Sequence, residues 1–225
     1  MKKYNVHTYE EAIEVIKEIG FLPLASLIPG YPSLDSMTAK EQWHTGTEFD
    51  PWLWRAKFPV DGAAAYGKFV KKKSVLISSE WLPMVKAVLG SRHSLKQRYQ
   101  DGLVSREALE LFELIRESEG IDTRLLRVQA GMKDKEKKKS FDNALLELQG
   151  SMDIVVAGTK AKTNDQGEKN GWSSTAFETM LHWTEHNRIA ETPIEMEDAK
   201  MMLKDHFASF CSEETMKAFA KIFKF

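Results

Sequence analysis

The sequence predicts an α+β fold that is mainly helical, on the strength of two observations. Along most of the chain, apolar residues recur at the i, i+3, i+4 and i+7 spacing of amphipathic helices. Runs rich in β-prone residues are confined to two places, residues 64–78 and 153–180. With 225 residues, 42% of them hydrophobic and 29% charged, the chain has the composition of a globular protein with room for one large core or two small ones.

A first helix is predicted at the N-terminal end. Thr8 and Glu11 match a capping box, the apolar residues that follow share one face, and Gly20 stops the pattern. Residues 21–36 contain three prolines and a glycine, which predict a loop. Because this loop is unusually apolar, we expect it to lie across the core.

The next segment alternates helix and strand. Asp50-Pro51 is typical of a helix start, with proline at the first helical position. Two short strands are predicted over residues 64–70 and 73–78, and a further helix ends at Gly90. Residues 91–104 have the composition of a polar connection.

Three helices are predicted between residues 105 and 152. Ser105 and Asp122 are N-cap residues for the first two, which end near Gly120 and Gly131. The third helix follows a lysine-rich stretch, "DKEKKKS". Its inward apolar positions, at helical spacing, are Phe141, Ala144, Leu145, Leu148 and Met152.

A β-hairpin is predicted directly after these helices. Residues 153–163 and 171–180 are β-prone, and the polar turn "NDQGEKN" with a central glycine separates them. Three helices followed by a hairpin is the element order of a winged helix, a helix-turn-helix variant whose third helix normally enters the major groove of DNA.

The chain is therefore divided into three parts. Residues 1–100 form an N-terminal, mainly helical subdomain and residues 101–190 form the winged-helix domain. Thr192-Pro193 interrupts the pattern, and two more helices over residues 194–209 and 212–224 make residues 191–225 a C-terminal helical extension.

Charge and cysteine content limit the classes of protein. The net charge of −1 excludes a uniformly basic nucleic-acid coat, so any such binding must come from a local patch. Cys211 is the single cysteine, which excludes an internal disulfide and a multi-thiolate zinc site and fits a reducing compartment. The sequence shows neither the apolar core of a signal peptide nor a membrane-spanning run, so we expect a cytoplasmic protein without membrane contact.

The lysine run has two interpretations. It is a solvated surface loop, diluted by Asp134 and Glu136, or it brings positive charge to the start of the third helix, where a phosphate backbone would lie. Acids would suit this helix terminus better, so lysines there argue for a use other than stability. The candidate DNA-binding residues on this helix and on the hairpin are Lys137, Lys138, Lys139, Ser140, Asn143, Lys160, Lys162 and Lys169. Since no arginine lies on the outward face of the helix, the expected partner is duplex DNA held with little sequence preference.

Two further groups of residues suggest other chemistry. "HWTEH", residues 182–186, matches the short H-x-x-E-H zinc motif, but a convincing third ligand is missing, so we expect no metal and no cofactor. An aromatic and basic block either stacks bases or an aromatic ligand in a candidate pocket, or belongs to the core. Its members are Trp52, Trp54, Arg55, Tyr66, Lys68 and Phe69.

The segments "DPWLWR", "AAYGKFVKKKSVLIS", "EWLP" and "LLELQ" together resemble the AlkZ-related proteins. These are bacterial relatives of the AlkZ and YcaQ DNA glycosylases, which unhook crosslinked bases. The resemblance covers roughly residues 10–185. It implies tandem winged-helix units, with the region before residue 100 as a degenerate second unit.

The resemblance does not extend to the catalytic pair. The glycosylases carry glutamine, an apolar residue, then glutamine or aspartate in the loop after the first helix. The matching stretch here is "GFLPLAS", with Pro23 and Ala25 in the two catalytic places. Neither side chain can position water or stabilise charge on a sugar, so no catalytic residue is assigned.

Three functions follow, in order of preference. The first is a DNA-binding, repair-associated protein that keeps the glycosylase scaffold without its chemistry. The second is an active glycosylase on alkylated or crosslinked bases that uses other acids, with Asp35, Glu48 and Asp50 as candidates. The third is a module that binds a protein, or a small ligand between the subdomains near Trp52, Trp54 and Tyr66, since a fold alone does not fix function.

Overall fold

The computed structural model describes residues 3–162, 173–189 and 193–225. It confirms an α+β protein with small antiparallel sheets. Two compact units divide the chain: unit 1 comprises residues 1–90 and 189–225, and unit 2 comprises residues 91–188. The sequence placed boundaries near residues 100 and 190.

Unit 1 begins with helices and a three-stranded sheet. In chain order its elements are α1 (Tyr9–Ile19), β1 (Phe21–Pro23), α2 (Leu34–Met37), a 3-10 turn (Lys40–Gln42), α3 (Pro51–Val60), β2 (Ala64–Val70), β3 (Lys73–Ser78) and α4 (Leu82–Leu89). The capping box of Thr8 and Glu11 is present, and Asp50 caps α3, as predicted.

The predicted loop over residues 21–36 is wrong at both ends. Phe21–Pro23 forms β1, which pairs antiparallel with β3, and Leu34–Met37 forms α2 behind an N-cap serine. Phe21 and Leu22 are fully buried. Pro23 is tolerated because β1 is an edge strand and the proline is its last residue.

Unit 2 has the same element order after one extra helix. Its elements are α5 (Leu95–Gln100), α6 (Arg106–Glu117), β4 (Ile121–Asp122), α7 (Thr123–Gln129), α8 (Lys138–Gly150), β5 (Ile154–Lys160), β6 (Ser174–Thr179) and α9 (Met180–His186). Residues 91–104 are therefore not merely a polar connection, because Ser94 caps α5 and Leu95 and Arg98 are buried. The three predicted helices and the antiparallel pairing of β5 with β6 are confirmed, while the predicted turn "NDQGEKN" lies outside the described residues. Helix α8 ends at Gly150, so Met152 is buried but lies past the helix and not on its inward face.

The two sheets share one topology. In unit 1 the strand order is β1-β3-β2, and in unit 2 it is β4-β6-β5, both antiparallel. Each unit thus repeats the order helix, strand, helix, helix, hairpin, with the early strand paired to the last one.

The C-terminal helices α10 (Met196–Ala208) and α11 (Glu213–Phe223) pack within unit 1. Phe207 stacks on Phe219 with ring centroids 3.9 Å apart, and Phe219 meets Tyr31 edge-on at 4.8 Å. Phe21 of β1 lies 6.0 Å from Phe219. The segment set apart by sequence as an extension therefore supplies part of the core around β1.

The turn between β2 and β3 is unusually strained. Val70 pairs with Lys73, so Lys71 and Lys72 alone form the turn, with φ of 48° and 59°. Such left-handed positions cost an ordinary residue about 1–2 kcal/mol each. Two-residue hairpin turns with two positive φ values favour asparagine and glycine instead.

Candidate nucleic-acid interface

Helix α8 is fixed in unit 2 by contacts at both ends. Near its C-terminal end, Glu147 accepts hydrogen bonds from the backbone N–H and the hydroxyl of Ser105, the N-cap of α6. Before its first turn, Arg127 donates to the carbonyl of Met132 at 3.1 Å and lies 5.4 Å from the Phe141 ring centroid. Since Phe141 is fully buried, the outward face of α8 has a set orientation.

The first turn of α8 has neither a capping side chain nor an acidic residue. Its N-cap, Lys137, makes no side-chain cap hydrogen bond, and its first turn contains no acid. No acid within the first turn neutralises the partial positive charge of this helix N-terminus, although Asp134 and Glu136 precede it. Such a helix start favours an anion.

The predicted DNA-binding residues of α8 are all exposed, but they are not equivalent. Lys137 directs its ammonium back to the carbonyl of Gly131, 3.0 Å away. Lys138 and Lys139 occupy the first turn, with Ser140 following and Asn143 one turn on. Asp142, also exposed, lies beside Asn143 and opposes an anion at this surface.

The hairpin contributes fewer described residues. Lys160 and Lys162 are exposed at the end of β5, whereas Lys169 lies outside the described residues. Arg124, which was not among the predicted site residues, donates to the carbonyl of Lys160 at 3.2 Å and contacts Asp122 at 3.3 Å. Its position in the first turn of α7, two residues after the N-cap Asp122, is the signal that marks it.

The aromatic block is split between core and surface. Trp54 and Tyr66 are buried, and the indole N–H of Trp54 donates to the carbonyl of Glu48 at 2.6 Å. Trp52 is 37% exposed, with the guanidinium of Arg55 over its ring at 3.6 Å. Phe69 is buried and Lys68 is exposed, so the structure does not bring all six residues to one surface.

A tilted ring contact remains at the surface of unit 1. The ring centroids of His44 and Trp52 are 4.9 Å apart, and the guanidinium of Arg55 lies over the Trp52 ring. Asp50 holds this region together, because its carboxylate accepts hydrogen bonds from the backbone N–H groups of His44, Gly46 and Trp52.

The residues considered for catalysis lie in different environments. Pro23 is buried in β1, and Ala25 is exposed in the loop after it. Asp50 is 1% exposed, with both carboxylate oxygens bonded to backbone N–H groups. Asp35 and Glu48 are exposed. Asp50 therefore has a structural role that competes with any role as a base.

His182 and His186 lie one turn apart on α9, with ring centroids 6.1 Å apart. The nearest acid is Glu178, whose carboxylate is 3.1 Å from Nδ1 of His182. Within residues 3–162, 173–189 and 193–225, no three His, Cys, Asp or Glu side chains are grouped as a metal site.

The family model described as AlkZ related matches residues 6–224. Searches of curated proteins and of solved structures gave no significant match. Over the described part of the chain, no helix is both long and apolar enough to cross a membrane.

Proposed function

The chain belongs to the AlkZ-related family over nearly its whole length, and on that premise we propose that it is a repair-associated protein that binds duplex DNA in the cytoplasm. The protein contacts the phosphate backbone of the DNA and has little preference for base sequence. The glycosylase reaction is absent, because the two places of the catalytic pair hold Pro23 and Ala25.

The proposed architecture is a tandem winged helix. Its support is the repeated order of helix, strand, helix, helix and hairpin, together with the shared strand order of the two sheets. In this interpretation α8 is the groove-facing helix of unit 2 and β5–β6 is its wing. In unit 1 the corresponding elements are α3 and β2–β3.

The single observation that carries the proposal is the open N-terminus of α8. A helix start with no capping side chain, no acid in its first turn and the exposed Lys138 and Lys139 in that turn suits a phosphate group. Arg127 orders the backbone that leads into this turn by donating to Met132. Helix α8 contains no arginine to read guanine, so affinity depends on counterion release.

The test compares Lys138→Gln/Lys139→Gln with the unmodified chain on a labelled duplex, by fluorescence anisotropy at 50 and 200 mM salt. Loss of two phosphate contacts makes the slope of log K against log salt shallower by about 2 and weakens binding roughly tenfold. The matched control is Lys204→Gln/Lys221→Gln, which removes the same charge from exposed positions of α10 and α11. Absence of binding by the unmodified chain at 50 mM salt, or equal losses in both variants, overturns the proposal.

A further inference from the structure

Lys71, Lys72 and Lys73 lie at the tip of the β2–β3 hairpin of unit 1, in a segment without acidic residues. Residues 62–79 contain Lys68 and Lys71, Lys72 and Lys73 but neither aspartate nor glutamate. Lys71, Lys72 and Lys73 are exposed. Among the residues that the structure describes, no carboxylate is within ion-pair distance of these three.

The backbone conformation at the tip is unfavourable for lysine. Lys71 and Lys72 both have positive φ, a conformation in which asparagine and glycine are less strained. If hairpin stability were the only requirement, asparagine and glycine would be expected at these two positions in place of two lysines. Strain at an exposed tip therefore indicates that the side chains serve another purpose.

Protection of the sheet edge does not explain the turn lysines. Lysines on an edge strand discourage pairing with other chains, and β2 is an edge strand that carries the exposed Lys68. Lys71 and Lys72 lie in the turn itself, beyond the last strand pair of Val70 and Lys73. Their charge is therefore carried at the end of the hairpin and not along its open edge.

We infer that the Lys71–Lys73 tip of unit 1 is a second phosphate-binding site for the DNA backbone, distinct from the start of α8. This inference rests on the proposed binding of duplex DNA. A two-residue turn fixes the backbone, so the three lysine side chains leave the hairpin from adjacent positions of one exposed tip. Each ammonium that neutralises a phosphate releases counterions, whatever the base sequence.

The main test replaces the tip by Lys71→Asn/Lys72→Gly, which suits the same turn. We expect duplex binding at 50 mM salt to weaken roughly tenfold and the salt slope to become shallower by about 2. Thermal stability should stay equal or rise by a few degrees, since the strain is relieved. Loss of affinity together with unchanged or higher Tm distinguishes a binding role from a folding role.

Further variants cover the other outcomes. Lys71→Gln/Lys72→Gln, which keeps the backbone class of the turn, should lose the same affinity, and Lys71→Arg/Lys72→Arg should retain it. Lys204→Gln/Lys221→Gln is the control of equal charge. If the unmodified chain binds duplex DNA and the tip variants bind like this control, the inference is overturned while the proposed function stands.

Two other results also decide the matter. If the unmodified chain fails to bind the duplex at 50 mM salt, both the proposed function and this inference fail. If the tip variants lose binding to phosphatidylserine vesicles but not to the duplex, the tip is a membrane-surface site and the DNA assignment is wrong.

Discussion

The carboxylate of Glu147 accepts two hydrogen bonds from Ser105, one from the backbone N–H at 3.1 Å and one from the hydroxyl at 2.6 Å. One side chain of α8 thereby helps to cap α6 and fixes the angle at which α8 presents its lysines. The contact joins residues 42 positions apart in the sequence.

Glu147→Ala should lower the free energy of unfolding by about 1.5–3 kcal/mol, the range for hydrogen bonds to a charged group. Urea denaturation measures this change, with Glu117→Ala as a control at an exposed position of α6. Equal unfolding free energies for the two variants would show that the contact with Ser105 contributes nothing.

Arg98 and Asp153 form a buried ion pair, with side chains only 8% and 15% exposed. Arg98→Met leaves the carboxylate without its partner, so we expect a loss of about 3 kcal/mol or more in unfolding free energy. Arg98→Met combined with Asp153→Asn should recover part of that loss. A double variant as unstable as the sum of the single variants would contradict the coupling.

Asp142→Asn should strengthen duplex binding about two- to threefold at 50 mM salt, because an exposed acid beside Asn143 repels phosphate. The gain should shrink at 200 mM salt, where such surface charges are screened. Asp205→Asn, exposed on α10, is the control for net charge. A gain that is the same at both salts would argue against a phosphate near α8.

His206 stacks on Trp81, with ring centroids 3.8 Å apart. Burial lowers the pKa of the His206 imidazole, and a hydrogen bond with the Ile19 backbone partly opposes this shift. The unfolded chain therefore takes up this proton at higher pH than the folded chain. The stability contributed by the neutral ring is complete above about pH 6.5 and is lost as the pH falls below that value.

His206→Phe should reduce the fall in Tm between pH 7.5 and pH 5.5, whereas His186→Gln, at an exposed position of α9, should not. Thermal melts across this range measure the effect. A steeper fall in Tm for His206→Phe would reverse the sign of the linkage.

The unmodified chain should release no alkylated or crosslinked base from a labelled duplex, even where it binds. Positioned side chains of the missing kind commonly contribute about 100-fold or more in rate. Pro23→Gln with Ala25→Asp should restore little, because residue 23 is buried in β1 opposite Val75. Robust release by the unmodified chain would sink this prediction, and Asp35 and Glu48 would then be tested first.

Local signals in the sequence were sufficient for most helices. The N-caps Thr8, Asp50, Ser105 and Asp122 accept hydrogen bonds from residues two or three positions along the chain, so their patterns lie within one turn. The strands over residues 64–70 and 73–78 were likewise predicted by β-prone composition and are present.

Features that depend on residues far away in the chain could not be predicted from local sequence. Pro23 argues for a loop by itself, yet β1 exists because β3 supplies the partner backbone at Val75. Residues 91–104 looked polar, yet Arg98 is buried because Asp153 is there to pair with it. In both cases the stabilising group is more than fifty positions away.

Most of the helices, the paired strands and the position of the lysine run could be predicted from local sequence, because capping, periodicity and β-prone composition act between neighbours in the chain. The packing of α10 and α11 into the core of unit 1 through Phe207 and Phe219 depends on the folded chain and could not be predicted from local sequence. The tertiary structure also determines that Trp54 is buried while Trp52 is exposed under Arg55. The hydrophobic effect is non-directional, so an apolar residue does not specify which distant residue will cover it. Which apolar surfaces come together therefore depends on how the whole chain packs.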